Sequence, residues 1–371
     1  MVNPTDTVYA SFDEMHEFIR VAFIAAGVPA NDARTCADVL IESDKRGIDS
    51  HGIGRLKPIY LDRIKEGILF TNTNVEVVRE TPSTAVIDGH DGMGHVISVR
   101  AMEMTIEKAK KCGLAMTAVR NSSHYGIAGY YALMAAKEDM ICFTGTNARP
   151  SIAPTFGAEN MLGTNPLTIG FPTDEDFPFM IDAATSTAQR GKIEHYARIN
   201  KTMPEGWVTD ENGLSVTDPN IALKGLTTGT CALTPVGGVG EELSGYKGYG
   251  WATVVEVLSA ALQGGSFLSS LNGKNPDGSI RPYHLGHWFI AIQVAAFTDP
   301  KDFKKTAGDI LRELRASKKA AGQSRIYTAG EKEYLAYLER SKTGIPLNPA
   351  VRKSLETARD EWKVDFRFSW Q

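Results

Sequence analysis

The sequence predicts a mixed α/β (α+β) body flanked by helical chain ends. Apolar residues recur at helical spacing near the N-terminus, in the stretch 11–27. From about Val75 onward, short apolar or alternating runs follow one another, which is typical of strands. From about Asp302 the tail is charged and has helical spacing again. These three observations favour a sheet-containing centre between two helical regions.

Three helices are predicted before the first strand, and each of them ends at a glycine or directly before one. The first spans 11–27, because Ser11 and Glu14 have the spacing of a capping box. The second is expected at about 31–46. The third is expected at 52–66, where apolar residues share one side.

The central part of the chain predicts a series of strands with helices and turns between them. The runs that indicate strands are VEVV (75–78), TAVIDG (84–89), LAMTAV (114–119), MICFTGT (140–146), LTIGF (167–171), FMIDAA (179–184) and WFIAIQV (288–294). Helices are expected at 97–113, closed by Gly113, and at 251–263. The turn-rich stretch 270–280 is expected to be an exposed loop.

Composition limits the class of protein. The chain has 371 residues, a net charge of -4 and a pI near 6.1. A nucleic-acid-binding protein usually has a basic surplus, so that class of partner is disfavoured. Neither a signal peptide nor an apolar run of membrane-spanning length is present in the sequence, and the four cysteines form no CxxC pair. We expect no membrane partner, reduced cysteines and a cytoplasmic location.

No usual nucleotide-binding fingerprint is found. The stretches GIGRLK, GVGEEL and GYGWAT each fail the G-x-G-x-x-G/A pattern at the last position, and no P-loop occurs. The glycine-rich stretch PVGGVGEELSGYKGYG, residues 235–250, could bring backbone amides and Lys247 to a phosphate before a helix. From composition alone, a mobile surface loop explains this stretch better.

Two of the eight histidines are candidates for chemistry. His124, in NSSHYGIAGYYA, follows a predicted strand, where α/β proteins tend to place functional groups. His51 lies in DSHGIGRL. His90 and His95 are expected in a turn, and other histidines are expected on the surface. The pair His284 and His287 has no acidic or cysteine neighbour in sequence, so we expect no metal site.

The stretch DSHGIGRL combines a proton-transfer group with an anion-binding group. On a helix, Arg55 lies one turn beyond His51, so the two side chains can face the same side. Arginine binds a carboxylate through two parallel hydrogen bonds, and a nearby histidine can exchange a proton with an oxygen on the adjoining carbon. This is the chemistry that interconverts a 2-hydroxy acid and a 2-oxo acid. The pair alone leaves open a structural arginine beside a solvated histidine.

Several long motifs together resemble one enzyme family. DSHGIGRL, NSSHYGIAGYYALMAA, LGTNPL, MIDAATST, GYKGYG and the C-terminal GEKEYL and GIPL occur in that order. The chain resembles the type 2 malate/L-lactate dehydrogenases, which also include ureidoglycolate and sulfolactate dehydrogenases, diketogulonate reductase and cyclic-imine reductases. The match spans nearly the whole chain. The motifs around His124 and Lys247 are most similar to the archaeal malate dehydrogenase branch.

The resemblance implies a non-Rossmann nicotinamide-binding fold with a helical domain formed by both chain ends. We therefore expect a helical domain at 1–78, completed by C-terminal helices at 302–371, and an α/β nucleotide-binding domain at 79–301. The resemblance also implies a homodimer with its active site in a cleft near the interface.

The resemblance also implies roles for particular residues. His51 or His124 is the proton-transfer residue, with His51 our first choice, and Arg55 binds the substrate carboxylate with Ser50 and Tyr60 close by. The residues implied in cofactor binding are Thr146, Asn147, Asp182, Ala183, Ala184, Lys247 and Gly330. Two positions depart from many relatives, Tyr246 where histidine is frequent and Ala329 where proline is frequent. Both lie on the expected cofactor side, so NAD is expected and NADP stays open.

The sequence thus predicts an NAD(P)-dependent oxidoreductase acting on a small 2-hydroxy or 2-oxo acid, with malate and oxaloacetate as the first choice. Another 2-oxo acid (pyruvate, a sulfonated acid or a diketo sugar acid) and a cyclic imine are the alternatives on the same scaffold. A binding protein that has lost its chemistry is the alternative from another class.

Overall fold

The computed structural model describes residues 6–371 and shows a mixed α/β fold, as predicted. The strands are β1 (Val8–Ala10), β2 (Glu76–Glu80), β3 (Thr84–Asp88), β4 (Leu114–Ser122), β5 (Met140–Thr146), β6 (Leu167–Phe171), β7 (Phe179–Ala183), β8 (Val208–Asp210), β9 (Cys231–Leu233), β10 (Leu285–Gln293) and β11 (Ile345–Leu347). The α-helices are α1 (Phe12–Ala25), α2 (Ala30–Lys45), α3 (Asp62–Lys65), α4 (Gly94–Cys112), α5 (Gly129–Ala136), α6 (Arg190–Arg198), α7 (Pro219–Thr228), α8 (Gly245–Ala260), α9 (Pro300–Ala316), α10 (Glu331–Thr343) and α11 (Pro349–Glu361). Within residues 6–371, every helix is too short or too polar to span a lipid bilayer.

A seven-stranded sheet forms the centre, with the strand order β2-β3-β4-β10-β5-β6-β7. Only β3 and β4 run parallel, and the other five pairs are antiparallel. A doubly wound nucleotide-binding sheet is mostly parallel, so the topology agrees with the missing Rossmann fingerprint. Strand β10 lies between β4 and β5, and its fully buried Trp288 and Phe289 show why this run is so apolar.

The two chain ends share one hydrophobic core. Helix α1 begins as its sequence predicts, since the Ser11 side chain accepts a hydrogen bond from the Glu14 backbone N–H. Its buried face packs in a cluster with α2 and α11 that includes Phe18 and Leu355. Strand β1 pairs with β11 beside this cluster. The N-terminal and C-terminal helices therefore support each other, and they carry the DSHGIGRL loop between them.

Helix α9 packs elsewhere, beside the edge of the sheet. Its Arg312 pairs with Asp174 in the connection between β6 and β7, and Phe303 packs edge-on against Phe171. The division of the chain at 1–78, 79–301 and 302–371 stays a prediction.

The predicted regular helix at 52–66 is wrong in detail. The chain forms a 3₁₀ turn at Ile53–Arg55, a π-helical segment at Leu56–Leu61 and only then α3. Pro58 has no N–H to donate, so it interrupts the regular i→i−4 ladder. π-Helical turns are frequent at functional sites, and this one carries Tyr60.

Two further helices begin earlier than the sequence predicts. Helix α4 begins at Gly94, so His95 lies buried in its first turn, and the prediction of a turn at His95 is wrong. Helix α8 begins at Gly245, because glycines that discourage helix from propensity alone are needed for packing. A Cβ at Gly248 would lie 2.3 Å from the carbonyl oxygen of Val236.

The chain also forms a small third cluster of elements, which the sequence did not indicate. Strands β8 and β9 pair there, and α6 and α7 pack around them. The buried residues at its centre include Ile193, Val208 and Leu233. The glycine-rich stretch 235–250 leads from this cluster into α8.

Candidate active site

Tyr60 is the centre of a hydrogen-bonded group where the N-terminal segment meets the sheet. Its hydroxyl oxygen lies 2.6 Å from Nδ1 of His124 and 2.8 Å from Nε2 of His95. His124 follows strand β4, whereas His95 comes from the first turn of α4. Tyr60 and His95 are fully buried, so they hold the His124 ring from the interior side of the protein.

The hydrogen bonds assign the tautomer of His124. The backbone N–H of Gly126 donates to Nδ1 of His124 over 3.3 Å, so Nδ1 is an acceptor and the proton of the neutral ring lies on Nε2. The Tyr60 hydroxyl donates to the same Nδ1, and Nε2–H of His95 donates to the Tyr60 oxygen. His124 therefore presents an N–H group to the site.

His51 lies next to His124 but has a different environment. The two rings are nearly parallel, with centroids 5.8 Å apart and planes 19° apart. Nδ1 of His51 lies 2.8 Å from Oγ of Ser50, a hydroxyl that can donate or accept. When the ring donates to Ser50, Nε2 of His51 has a free lone pair. His51 can thus accept a proton at its Nε2, whereas Nε2 of His124 already carries one.

Arg55 lies beside His51, as the spacing predicts. Its Nε donates a hydrogen bond to the carbonyl oxygen of Ser50, which fixes the plane of the guanidinium. Within residues 6–371, no carboxylate forms an ion pair with Arg55, and its two Nη atoms donate no hydrogen bond to the protein. The two-pronged edge of the guanidinium is therefore available to an anion.

The loop that carries Ser50 and His51 is held by a buried carboxyl group. Oδ2 of Asp44, at the end of α2, accepts the backbone N–H of Ile53 at 2.7 Å. A Cβ on Gly52 would lie 2.0 Å from Oδ1 of Asp44, so only glycine fits there. Burial raises the pKa of Asp44 to about 8, against this hydrogen bond, which lowers it. Arg340 of α10 then ties the loop to the C-terminal part by pairing with Asp49.

Both candidate acid/base histidines are neutral near pH 7. Burial, and then the charge of Arg55, lowers the pKa of His51 to about 4. Burial also holds the pKa of His124 well below its usual range, and the neighbouring His51 acts in the same direction. A neutral imidazole can accept a proton from a hydroxyl group or donate a hydrogen bond to a carbonyl oxygen.

Two of the predicted cofactor residues line one cleft. Asp182 at the end of β7 and Gly330 before α10 both line it, together with Gly129 at the start of α5 and Arg46 at the end of α2. Asp182 accepts hydrogen bonds from the backbone N–H of Gly129 and from Oγ1 of Thr168, at 2.7 and 2.8 Å. Gly330 has a φ of +89°, which favours glycine. Ala183 and Ala184 follow Asp182 at the same sheet edge.

Thr146 and Asn147 lie at the end of β5, where their side chains already have protein partners. Asn147 donates to the carbonyl oxygen of Ser266 and accepts from the backbone N–H of Gly286. Thr146 contacts Nδ1 of His287 at 2.7 Å, and Nε2 of His287 contacts Ser122 at 2.8 Å. This chain of contacts connects the end of β5 to the end of β4, the strand that precedes His124.

Lys247 is exposed in the first turn of α8. It therefore lies in the helix, not in a loop before it. The preceding glycine-rich segment lines a cavity of about 220 Å³ together with Thr155 and Phe156. The buried Oγ1 of Thr155 has no hydrogen-bond partner within residues 6–371.

The comparison with known families agrees with this arrangement. The model of the malate/L-lactate dehydrogenase family matches residues 10–356. The chain belongs to this family. It is therefore an oxidoreductase of the malate/lactate type, as the motifs predicted.

Individual relatives cover nearly the whole chain. The malate dehydrogenase of Pyrococcus abyssi is 41% identical over 348 residues, which are 94% of this chain and 93% of the relative. The L-sulfolactate dehydrogenase of Methanocaldococcus jannaschii is 38% identical, over 90% of this chain and 92% of its own. The crystal structure of malate dehydrogenase from Entamoeba histolytica superposes with a TM-score of 0.93 at 42% identity, covering 98% of this chain and all of that one.

Within this family member, the structure brings together Ser50, His51, Arg55, Tyr60 and His124, and their roles stay predictions. His95 and Asp44 were missed by the sequence reasoning. No local sequence pattern marks either residue. His95 contacts Tyr60, which is distant in sequence, and Asp44 lies buried against Gly52. His284 does have an acidic neighbour in space, since its Nδ1 lies 2.9 Å from Oδ1 of Asp91. Residues 6–371 nevertheless contain no group of three His, Cys, Asp or Glu side chains placed to hold a metal.

Proposed function

We propose that this chain interconverts a small 2-hydroxy acid and its 2-oxo acid, with malate and oxaloacetate as the first pair to test. The observation that carries this proposal is Arg55, whose two-pronged edge has no carboxylate partner within residues 6–371 and which lies beside two neutral histidines. Such a group binds the carboxylate of a substrate and leaves C2 and its oxygen near the imidazoles. Two relatives, a malate dehydrogenase and an L-sulfolactate dehydrogenase, support this class of substrate.

The residues of the site divide the proton chemistry between them. In oxidation, Nε2 of His51 accepts the proton of the C2 hydroxyl group, and in reduction it returns that proton to the oxygen. Nε2–H of His124 donates a hydrogen bond to the same oxygen and stabilises the charge that develops there. Tyr60 and His95 hold the His124 ring in the required tautomer.

We also propose that a nicotinamide dinucleotide is the cofactor, with NAD as the first choice and NADP as the alternative. When bound, its ring accepts or supplies the hydride at C2. The residues fit such a group: Asp182 can accept further hydrogen bonds from ribose hydroxyls, and Gly330 lines the same cleft. The cavity at the glycine-rich segment offers an unpartnered hydroxyl of Thr155. The homodimer likewise stays a prediction.

A panel of 2-oxo acids, each with NADH and with NADPH, tests the proposed function. We expect turnover with oxaloacetate above that with pyruvate, observed at the absorbance band of the reduced cofactor. Turnover only with a cyclic imine, or with another 2-oxo acid, would favour the corresponding alternative reductase. A folded protein that turns over no member of the panel would favour the binding protein.

Replacement of Lys247 tests the cofactor side. Lys247 extends from the first turn of α8, where the helix N-terminus already favours an anion. Lys247→Ala is therefore expected to raise the KM of the cofactor several-fold more than the KM of the substrate. Lys301→Ala, which removes an exposed lysine from the first turn of α9, is the matched control. An unchanged cofactor KM would remove Lys247 from the binding site.

The pH dependence of oxidation reports the state of His51. A base must be unprotonated, and the pKa of His51 is lowered to about 4, so the base is ready at any pH well above 4. We expect kcat/KM for L-malate oxidation to stay level from pH 7.5 to about 5 and to fall below that as His51 becomes protonated. The substrate's own ionisation is corrected from its titration, and circular dichroism confirms folding at each pH. A fall centred near pH 6.5 would contradict the lowered pKa.

A further inference from the structure

A second arginine lies next to the candidate active site and forms no ion pair with the described part of the chain, residues 6–371. Arg63 is in α3, three residues after Tyr60, and residues three apart on a helical segment share a face. The Tyr60 hydroxyl contacts His124, so this face of the segment is the one directed to the site. The guanidinium carbon of Arg63 lies 4.5 Å from the centre of the Tyr283 ring, which supports the arginine by stacking.

The neighbouring Lys57 and Lys65 form ion pairs, whereas Arg63 forms none within residues 6–371. Lys57 pairs with Asp62 and with Glu361, at 2.6 and 3.2 Å. For Arg63, no ion pair and no hydrogen bond to any acceptor is formed within residues 6–371, and its environment contains the aromatic residues Tyr60 and Tyr283. A half-buried guanidinium without a partner is costly, so its presence calls for an anionic ligand.

The charges around Arg63 indicate how much negative charge the ligand carries. The positive charge of Arg149 acts on Arg63 and the negative charge of Glu66 partly offsets it, while the charges of both Arg63 and Arg55 act on His124. A substrate with a single carboxylate, bound by Arg55, leaves the positive charge of Arg63 uncompensated. A ligand with a second anionic group compensates both arginines and also explains why neither forms an ion pair with an acidic residue within residues 6–371.

We propose that Arg63 binds a second acidic group of the substrate, at the end remote from the carboxylate that Arg55 holds. The substrate class is then a 2-hydroxy or 2-oxo acid with an additional anionic group, and a monoacid such as lactate lacks one of the two contacts. This inference rests on the proposed function for the position of C2, but the binding contact itself requires no turnover. Arg63 is thus a specificity-determining residue.

Calorimetric binding of L-malate and L-lactate tests the proposal without catalysis. Each hydroxy acid is titrated into the protein in the presence of NADH. The hydroxy acid and NADH are both in the reduced state, so no hydride is transferred between them. We expect the wild-type protein to bind malate at least tenfold more tightly than lactate, because a charge-assisted contact contributes that much or more. Arg63→Gln is expected to reduce the ratio to within threefold by weakening malate binding alone.

Lys65→Gln is the matched control, since it removes one positive charge from the exposed side of the same helix. It should leave the malate-to-lactate ratio unchanged. The proposal is overturned if Arg63→Gln keeps the wild-type ratio, if it weakens both ligands equally, or if the wild-type protein binds malate no better than lactate. If malate binding depends on Arg63 but no 2-oxo acid is turned over, the subsite stands and the proposed function fails.

Discussion

Replacing His51 with alanine is expected to lower kcat about a hundredfold or more, the usual range for loss of a general acid or base. The expectation rests on the hydrogen bonds of the two histidines. Nδ1 of His124 accepts from Gly126 and Tyr60, so its Nε2 is protonated in the neutral ring. His51 contacts only the adaptable Ser50 hydroxyl through Nδ1, so its Nε2 is free to accept a proton.

Chemical rescue separates proton transfer from loss of structure. Added imidazole should restore part of the activity of His51→Ala, because the lost ring leaves space for it next to His124. His124→Ala should also be severely impaired, through loss of the hydrogen bond to the substrate oxygen. His195→Ala, at an exposed histidine of α6, is the control and should keep wild-type turnover. Near-normal turnover of His51→Ala, combined with an inactive His124→Ala, would reverse the two roles.

The local part of this site could be predicted from the sequence. His51 and Arg55 are four residues apart in the sequence, close enough for the two side chains to be expected together, although a 3₁₀ turn at Ile53–Arg55 replaces the predicted α-helix. The strands were predictable for a similar reason, since their apolar runs are short and bounded by turn residues. Strands β5 and β6 have the same bounds as the runs MICFTGT and LTIGF.

The rest of the site depends on contacts between distant parts of the chain. Tyr60 meets His95 and His124 across sequence separations of 35 and 64 residues. Arg340 reaches Asp49 across 291 residues. No periodic pattern in the sequence encodes such pairs. His95 was therefore expected in a turn, and Asp44 was not among the predicted site residues. The π-helical segment that directs Tyr60 inward also departs from the regular helix that the apolar pattern predicted.

Glycine misled the prediction where packing decides the conformation. The run GYKGYG has low helix propensity, and the helix was therefore expected to begin only at Trp251. In the structure these glycines allow the first turn of α8 to pack against residues 236–240. A Cβ on Gly245 would lie 2.2 Å from the carbonyl oxygen of Gly238. The gain from this close packing outweighs the lower propensity, and Lys247 is placed on the helix as a result.

Arg55→Lys is expected to lower kcat/KM for every 2-oxo acid tenfold to more than a hundredfold, while the protein stays folded and binds the cofactor. The Nε of Arg55 is held by the carbonyl oxygen of Ser50, so the two Nη atoms form a fixed fork. Lysine keeps the positive charge but cannot donate two parallel hydrogen bonds to one carboxylate. A charge-assisted hydrogen bond contributes about 1.5 to 3 kcal/mol, which corresponds to that loss in kcat/KM.

The competing explanation is that Arg55 serves only to hold the DSHGIGRL loop through Ser50. A thermal melt and a steady-state assay on the same preparation separate the two roles. If Arg55 binds substrate, Arg55→Lys keeps a melting temperature near that of the wild type, and cofactor affinity measured without substrate is unchanged. If Arg55 is structural, the melting temperature falls and kcat/KM stays within a few-fold of the wild type. Arg20→Lys, at a surface ion pair with Glu17 in α1, provides the control, because it makes the same chemical change far from the histidines and should alter neither measurement.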